Sequence, residues 1–343
     1  MSALVRPVLV VTNHVPPDRA GAFAALHARE GIELALFGGR SHHATAGVDD
    51  PGVPAREVEQ SEIYALAASG GYRAVVCGTA GRLALPAAWA GARRAQVPFL
   101  LWSALWAHPR SAAHVAGALL LRTLYRDADA VVAYGPHVAS FARRNGARRV
   151  TIAPQAVDGA FWSAPPEGPA WRRGADFAAV FVGRDEPGKG VDVLLEAWSR
   201  VRLTPPSGVL ALVGVEGVTG AVGPQPPTSV RNFLATADVL VVPSRRTSTF
   251  REPWGLVVNE AMHAGTPVIA TDQVGAAAGG LVRNGRNGLV VPSEDPAALA
   301  AALRLLRDDE RLRARLGAAA VEDVAPYTFR AWAEGFAQAL PLA

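Results

Sequence analysis

Short β-branched runs alternate with helical stretches along most of the chain, and this alternation constrains the fold more than any other feature. In the first half, the predicted strands lie at Val8–Thr12, Glu33–Phe37, Ala74–Cys77, Phe99–Trp102, Ala130–Tyr134 and Val150–Ala153. The helical stretches lie at Ala20–Glu30, Ser61–Ser69, Ser111–Arg126 and Pro136–Asn145. Strands that are almost continuously apolar and separated by helices are typical of a parallel sheet covered on both faces.

The alternation stops once and then begins again. Residues 159–176 are rich in Pro and Gly and predict a linker. Further strands are predicted at Ala178–Val182, Val209–Val213, Val239–Val242, Val268–Thr271 and Leu289–Val291. We therefore expect an α/β fold with two Rossmann-like, doubly wound parallel-sheet domains facing a cleft, at 1–158 and 177–326. A last amphipathic helix within 327–343 is expected to pack back on the first domain.

Composition and charge narrow the class of protein. Half of the 343 residues are hydrophobic and 19% are charged, which fits a globular chain of two domains. The net charge of +4 comes without basic blocks or basic–aromatic interleaving, so we expect no nucleic-acid partner. No run reaches the ~18 apolar residues of a membrane span. The start of the chain also lacks the pattern of a signal peptide.

A single cysteine, Cys77, excludes an internal disulfide and favours a reducing compartment. We therefore expect a cytoplasmic protein. The segment 113–126 is amphipathic and suits a peripheral contact with the inner face of a membrane, although a helix facing the core would have the same pattern.

The first motif that carries chemistry is AVFVGRDEPGKGVDVLLEAW at 179–198. A strand, a glycine turn and a helix start make an anion site, because backbone N–H groups and the helix dipole both favour negative charge there. Arg184 adds a planar fork of donors, and Lys189, the single lysine of the chain, adds a mobile point charge. The motif is neither a Walker A loop nor GxGxxG, which argues against a nicotinamide cofactor. A surface turn with two solvated cations is the alternative.

The second motif is SRRTSTFREPWGLVVNEAMHAGTPVIATD at 244–272, in which Glu252 and Glu260 are eight residues apart. A helix is predicted from about Gly255, with Glu252 in the loop before it and Glu260 about a turn and a half inside. Two carboxylates in these positions can accept hydrogen bonds from sugar hydroxyls. The alternative is that Glu252 complements the helix dipole and Glu260 lies on a solvated face. The apolar neighbours of Glu260 favour a functional role.

These two segments, together with ADVLVVPS and GRNGLVVP, resemble the second domain of retaining nucleotide-sugar glycosyltransferases of the group 1, family 4 type, which have the GT-B fold. The resemblance covers about 177–307, and more loosely 128–162. It implies a nucleotide-diphosphate sugar donor, a glycan, lipid-linked or small-molecule acceptor, and no metal or other cofactor. A nucleotide-sugar 2-epimerase and a non-catalytic nucleotide-sugar binding protein are the alternatives.

The resemblance also implies roles for individual residues. Glu252 would contact the hydroxyls of the donor sugar and stabilise charge at the anomeric centre, and Glu260 would bind the ribose. Arg184 and Lys189 would hold the pyrophosphate and assist the departure of the nucleotide. The other donor-binding residues implied are Gly183, Trp254, Gly255 and Leu256.

The chain departs from the family pattern in three places. The segment 13–21 replaces a glycine-rich loop, and its Asn13 and His14 are candidates for the acceptor or phosphate side. Relatives often carry a histidine just after the strand that corresponds to Phe99–Trp102, where this chain has Trp102 and Ser103, and the nearest histidine is His108. Residues 213–228 predict a Gly/Pro loop where relatives have an extra helix and strand.

Overall fold

The structure is a computed structural model that describes residues 6–38, 51–81, 83–108, 112–167, 171–172, 174–203 and 206–341. The chain forms two compact units. Unit 1 comprises Met1–Ala156 and Thr328–Ala343, and unit 2 comprises Val157–Tyr327. Each unit has its own parallel sheet.

The secondary structure alternates between strands and helices in both units. The strands are β1 (Val8–Thr12), β2 (Ile32–Leu36), β3 (Ala55–Glu57), β4 (Ala74–Gly78), β5 (Phe99–Ser103), β6 (Ala130–Ala133), β7 (Val150–Ile152), β8 (Phe177–Val182), β9 (Gly208–Val213), β10 (Ala221–Gly223), β11 (Val239–Val242), β12 (Val268–Thr271) and β13 (Gly288–Val291). The helices are α1 (Pro17–Glu30), α2 (Ile63–Ala68), α3 (Ala84–Ala95), α4 (Ala112–Asp127), α5 (Pro136–Arg144), α6 (Gly159–Ser163), α7 (Val191–Val201), α8 (Pro227–Thr236), α9 (Val257–His263), α10 (Gly275–Ala278), α11 (Pro296–Asp308), α12 (Glu310–Val324) and α13 (Phe329–Ala337).

The sheet of unit 1 has the strand order β3-β2-β1-β4-β5-β6-β7, and its paired strands are parallel. Every residue of β1 is buried, and Val10 pairs with Leu34 on one side and Val76 on the other. The order reverses direction between β1 and β4, and ligands of such sheets bind beyond the strand ends at this switch point. The loop after β1 therefore occupies a ligand-binding position of unit 1.

Helix α13 belongs to unit 1, where it packs on α1 and β7. Its N-terminal residue Thr328 caps the helix by accepting a hydrogen bond from the backbone of Ala331. Trp332 and Phe336 are buried in the core face that also contains Phe23 of α1. The C-terminal segment thus completes one face of the unit 1 core.

The sheet of unit 2 has the order β10-β9-β8-β11-β12-β13 and is also parallel. Its direction reverses between β8 and β11. The loops after these two strands carry Arg184, Lys189 and Glu252. The topology therefore places the two sequence motifs on adjacent strand ends at the switch point of this sheet.

The described part of 159–176, which the sequence predicts to be a linker, belongs to unit 2 and contains α6. The ring of Phe161 lies 4.9 Å from the guanidinium of Arg231, and the indole of Trp171 donates to Thr236 Oγ1 at 2.8 Å. Both aromatic side chains therefore contact residues of α8 and are partly buried.

The elements that the sequence pattern misses are β3, β10, α3, α12 and several short helices. The strands β3 and β10 are edge strands of three residues that are not buried, so they lack an apolar run. The predicted loop at 213–228 contains β10 and the first turn of α8. Hydrogen bonds to a neighbouring strand, rather than local composition, make these residues a strand.

Helix α4 contributes Leu124 and Tyr125 to the core, whereas Leu119 and Leu120 are exposed. Within the described parts of the chain, no helix is long and apolar enough to cross a membrane.

Candidate active site

The loop after β8 presents two cations. Gly183 directly follows the strand, and Arg184 pairs with Glu186 through an Nη2–Oε1 distance of 3.1 Å, with side chains 34% and 42% exposed. A 3-10 turn at Pro187–Lys189 then leads to Gly190, which has a φ of +70°. A Cβ atom at Gly190 would lie 2.2 Å from the carbonyl oxygen of Pro243, so only glycine fits this close approach.

The loop after β11 is tied to the loop after β8. Phe250 lies against Gly188, where a Cβ atom would be 2.2 Å from the Phe250 ring. Arg245 donates from Nε to the carbonyl oxygen of Pro187 at 2.6 Å and pairs through Nη1 with Asp192 at 2.9 Å. These contacts fix one loop against the other.

Lys189 and Glu252 form an ion pair between the two loops. The distance from Nζ to Oε2 is 2.5 Å, and the side chains are 22% and 8% exposed. Ser244, which is 1% exposed, donates from Oγ to the same carboxylate oxygen at 3.2 Å. The ammonium also lies 5.5 Å from the ring centroid of Phe250. The carboxylate and the ammonium are therefore held in one place and largely shielded from water.

The backbone after Glu252 is pinned by the loop that follows β12. The Gly275 N–H donates to the Glu252 carbonyl at 3.1 Å, and the Ala276 N–H donates to the Trp254 carbonyl at 2.8 Å. A Cβ atom at Gly275 would lie 1.9 Å from the carbonyl oxygen of Pro253. The conformation of 252–254 is thus fixed from two sides.

Trp254 is a core residue in the structure. Its side chain is 2% exposed, and its indole N–H donates to Asn259 Oδ1 at 2.7 Å. Gly255 follows with a φ of +85°, which glycine adopts readily. Trp254 is therefore a buried core residue, and its part in donor binding stays a prediction.

The helix start corrects two sequence predictions. Helix α9 begins at Val257 instead of at about Gly255, because Gly255 adopts the left-handed region and Leu256 occupies the cap position. Glu260 consequently lies in the first turn of α9 and not a turn and a half inside it. Its carboxylate is closer to the helix start than the sequence predicts.

In unit 1, Asn13 and His14 lie directly after β1 and line an open pocket of about 700 Å³. Phe37, Arg56 and Glu59 line the same pocket. The pocket lies at the ends of β1 and β2 and beside β3, and it offers an apolar ring together with groups of both charges.

His108 lies after β5, where its Nε2 is 3.1 Å from Asn145 Oδ1 and its ring centroid is 4.8 Å from that of Phe141.

Ser103, at the end of β5, is fully buried, and its Oγ lies 2.6 Å from the hydroxyl of Tyr125. Burial raises the pKa of Tyr125 to about 12. Ser103 and Tyr125 thus form a neutral buried pair.

Trp102 lies in β5, one residue before its end. Its side chain is 8% exposed and packs edge-on against Trp332.

Arg19 is a buried arginine that the sequence analysis does not predict as a site residue. It is 6% exposed, its guanidinium lies 5.7 Å from the Trp102 ring and 5.3 Å from the Tyr134 ring, and it donates to Gln155.

Ser244 and Phe250 are further residues that sequence reasoning missed, although both lie within the second motif. Their position beside Lys189 depends on the adjacency of β8 and β11, which no local pattern shows. Among the described residues, no group of three His, Cys, Asp or Glu side chains is arranged to hold a metal ion.

Solved structures share this fold over almost the whole chain. HepE of Anabaena, crystallised with UDP and glucose, has a TM-score of 0.75 at 16% identity and covers 97% of this chain and 98% of its own. Sucrose-phosphate synthase from Thermosynechococcus elongatus has a TM-score of 0.72 at 20% identity, with the same coverage of 97% and 98%. The two-domain α/β fold of the GT-B type is therefore confirmed.

Sequence comparison then identifies the family of unit 2. Residues 172–323 match the family model of glycosyl transferases group 1. D-inositol 3-phosphate glycosyltransferase of Corynebacterium diphtheriae is 34% identical over 180 residues, which is 45% of this chain and 40% of that protein. The enzyme of the same name from Streptomyces scabiei is 37% identical over 169 residues, 41% of this chain and 36% of that protein. Each alignment spans less than half of the relative. The predicted resemblance to group 1 glycosyltransferases is confirmed, and the family model matches residues 172–323, which lie in unit 2.

Proposed function

We propose that this chain is a glycosyltransferase that moves a sugar from a nucleoside diphosphate to a hydroxyl group of a glycan, a lipid-linked or a small-molecule acceptor, with retention at the anomeric carbon. The Lys189–Glu252 pair carries this proposal, because it places a cation and a carboxylate together at the switch point of unit 2. Unit 2 would bind the donor and unit 1 the acceptor.

The donor pyrophosphate would lie against Arg184 and Lys189. The pair between Arg184 and Glu186 is exposed and contributes little stability, so a phosphate can replace Glu186 as the partner. Lys189 already neutralises Glu252 and is positioned to share its ammonium with a phosphate oxygen. HepE, a fold neighbour, was crystallised in complex with UDP, which supports UDP as the first nucleotide to test.

Glu260 and the backbone of Gly255 would complete donor binding. Glu260 lies in the first turn of α9, five residues after Gly255. We propose that its carboxylate binds the ribose hydroxyls. The main chain at Trp254, Gly255 and Leu256 would donate to a phosphate or to the sugar.

Transfer would proceed on one face of the sugar. The bond from the anomeric carbon to the phosphate oxygen breaks, the acceptor oxygen bonds to the same face, and the acceptor proton passes to the departing phosphate. Glu252 would stabilise the positive charge at the anomeric carbon, and Arg184 and Lys189 would stabilise the diphosphate. These two cations supply the charge that a metal ion would otherwise supply, so we propose a metal-independent reaction.

The acceptor would be bound by unit 1. Asn13 and His14 line a pocket beyond the end of β1, and hydroxyl groups of an acceptor can pair with both side chains. His108 is a further candidate, with Asn145 orienting its ring. The curated relatives align over less than half of this chain and of their own length, so the acceptor that their name implies is not assigned to this chain.

A cytoplasmic site of action is also proposed. Cys77 is buried and not part of a disulfide, which suits a reducing compartment.

The exposed Leu119 and Leu120, with Arg122 beside them, support a peripheral contact with a membrane during transfer to a lipid-linked acceptor. Sedimentation with anionic vesicles tests this contact.

Titration calorimetry with UDP and UDP-glucose tests the donor site. We expect both to bind the wild-type protein, and Lys189→Met and Arg184→Gln each to weaken UDP by about tenfold or more, since each removes a charged hydrogen bond. Arg200→Gln is the matched control, because it also removes one positive charge but lies in an exposed pair with Glu196 at the end of α7. Failure of UDP, GDP, dTDP and ADP alike to bind would overturn the proposal.

A further inference from the structure

Ser244 contacts the carboxylate of Glu252 from the interior of unit 2. Its Oγ donates to Glu252 Oε2 at 3.2 Å, and the residue is 1% exposed. A serine hydroxyl carries a single proton, so Ser244 has one hydrogen bond to donate, and the carboxylate receives it. The reaction proposed above assigns no step to this serine.

The main chain around Ser244 is fixed by both neighbouring strands. Ser244 lies two residues after β11, which pairs with β8 on one side and with β12 on the other. Towards β8, the Pro243 carbonyl packs against Gly190, where a Cβ atom would lie 2.2 Å from the carbonyl oxygen. At the end of β12, Thr271 donates from Oγ1 to the Ser244 carbonyl. The hydroxyl is therefore presented to Glu252 by a short side chain on a fixed main chain.

Two partners of Glu252 Oε2 differ in their exposure. The side chain of Lys189 is 22% exposed, whereas Ser244 is 1% exposed, so a ligand reaches the lysine more readily than the serine. The lysine ammonium is also carried by a flexible four-carbon stem. A donor diphosphate has more negative charge than one carboxylate and competes with Glu252 for this ammonium. Donor binding then weakens the ion pair and leaves the hydrogen bond from Ser244 in place.

We propose that Ser244 is a positioning residue of the transfer site: its hydroxyl holds the carboxylate of Glu252 in its orientation while the donor diphosphate draws the ammonium of Lys189 away. This inference rests on the proposed function, in which Glu252 stabilises positive charge at the anomeric carbon. Such stabilisation needs a carboxylate that is fixed before the charge develops. A displacement of about 1 Å can lower a rate by about 100-fold. Ser244 acts through Glu252 rather than on the substrate.

Steady-state kinetics of Ser244→Ala test this role. The assay measures release of the nucleoside diphosphate from UDP-, GDP-, dTDP- or ADP-glucose, whichever the wild-type protein turns over fastest. We expect kcat to fall by about tenfold or more, which is the effect of one hydrogen bond to a charged group. The KM for the donor, and the affinity for the nucleoside diphosphate measured by calorimetry, should stay within about twofold of wild type, because the lost interaction acts in the transition state.

Two further variants separate positioning from a structural role. Ser244→Thr keeps a hydroxyl at this position, so its kcat should exceed that of Ser244→Ala by about threefold or more. Ser103→Ala is the matched control, because Ser103 is 0% exposed and its Oγ lies 2.6 Å from the hydroxyl of Tyr125 in unit 1. Its kcat should stay within about twofold of wild type.

The outcomes distinguish this inference from the proposed function. A kcat of Ser244→Ala within about twofold of wild type overturns the positioning role and leaves the proposed function in place. An equally low kcat in Ser244→Thr, or an equal fall in Ser103→Ala, also overturns it, because any change at a buried serine would then have the same effect. So does a loss of nucleotide affinity in Ser244→Ala, which would give the serine a role in binding or folding. Failure of the wild-type protein to turn over any of the four nucleotide sugars overturns both.

Discussion

Replacing Lys189 by methionine tests the ion pair at the centre of the site, because methionine has a similar length and no charge. Glu252 would keep the hydrogen bond from Ser244 but would lose the ammonium 2.5 Å away, at a side chain only 8% exposed. Breaking a fully buried pair costs about 3–5 kcal/mol. Lys189 is 22% exposed, so water can reach the carboxylate and we expect a loss of about 2–3 kcal/mol in unliganded unit 2.

A double-mutant cycle isolates this interaction. Glu252→Gln keeps an acceptor for Ser244 and should cost less, about 1 kcal/mol, because the longer Lys189 side chain can turn towards water. The double variant should be more stable than the sum of the single changes predicts, with a coupling energy of about 1–2 kcal/mol. The exposed pair Arg200–Glu196 serves as the control, with a coupling of about 0.3–0.5 kcal/mol.

Hydrogen exchange measured by mass spectrometry is the suitable assay, because two units need not unfold together and a single melting temperature would mix them. Peptides from 239–263 report the opening free energy of β11, the following loop and α9. Additive effects of Lys189→Met and Glu252→Gln in these peptides would refute the reasoning. They would mean that the ammonium and the carboxylate do not depend on each other in solution.

Three further predictions concern single positions. Hydrogen bonds from Arg286, Asn287 and Arg283 lower the pKa of Asp323, so the stability it contributes is present above its unfolded pKa of about 3.9 and is lost as the pH falls through the lower folded value. Acid unfolding of Asp323→Asn should lack this component, and an acid profile identical to wild type would contradict it. Gly190→Ala forces a Cβ atom to within 2.2 Å of the Pro243 carbonyl, so the opening free energy of unit 2 measured by hydrogen exchange should fall by more than in Gly280→Ala, where φ is also positive but nothing lies within 4 Å. Equal opening free energies would show that the Gly190 contact relaxes without cost. Burial raises the pKa of Cys77, so a thiol reagent should label it only after unfolding in urea, and rapid labelling of the native protein would contradict the burial of β4.

The strands of the two sheets could be predicted well where burial determines their sequence. Val8–Thr12, Val239–Val242 and Val268–Thr271 are predicted with the bounds that the structure shows, because each is an apolar run buried on both faces between polar breaks. The edge strands Ala55–Glu57 and Ala221–Gly223 have no such run. These residues become strands because they pair with a neighbouring strand, and the local sequence does not show which strand that neighbour is.

The candidate site could be predicted in its residues but not in its contacts. Lys189 and Glu252 each belong to a local motif, yet their contact depends on β8 and β11 being neighbours. The predicted start of α9, at about Gly255, is too early, because Gly255 adopts the left-handed conformation and the helix begins at Val257. The sequence around Ser244 contains no motif that marks this serine as a site residue. Its hydrogen bond to the carboxylate of Glu252 is seen only in the structure.

The site that contains Glu252 is proposed to transfer a sugar with retention at the anomeric carbon. Proton NMR of the protein incubated with UDP-glucose, with water or an added sugar as the acceptor, measures which anomer forms first. We expect the wild-type protein to form the α-anomer as the bond between glucose and UDP is broken, and Glu252→Gln not to form it. Release of the β-anomer, or conversion of UDP-glucose into another UDP-sugar without transfer, would contradict it.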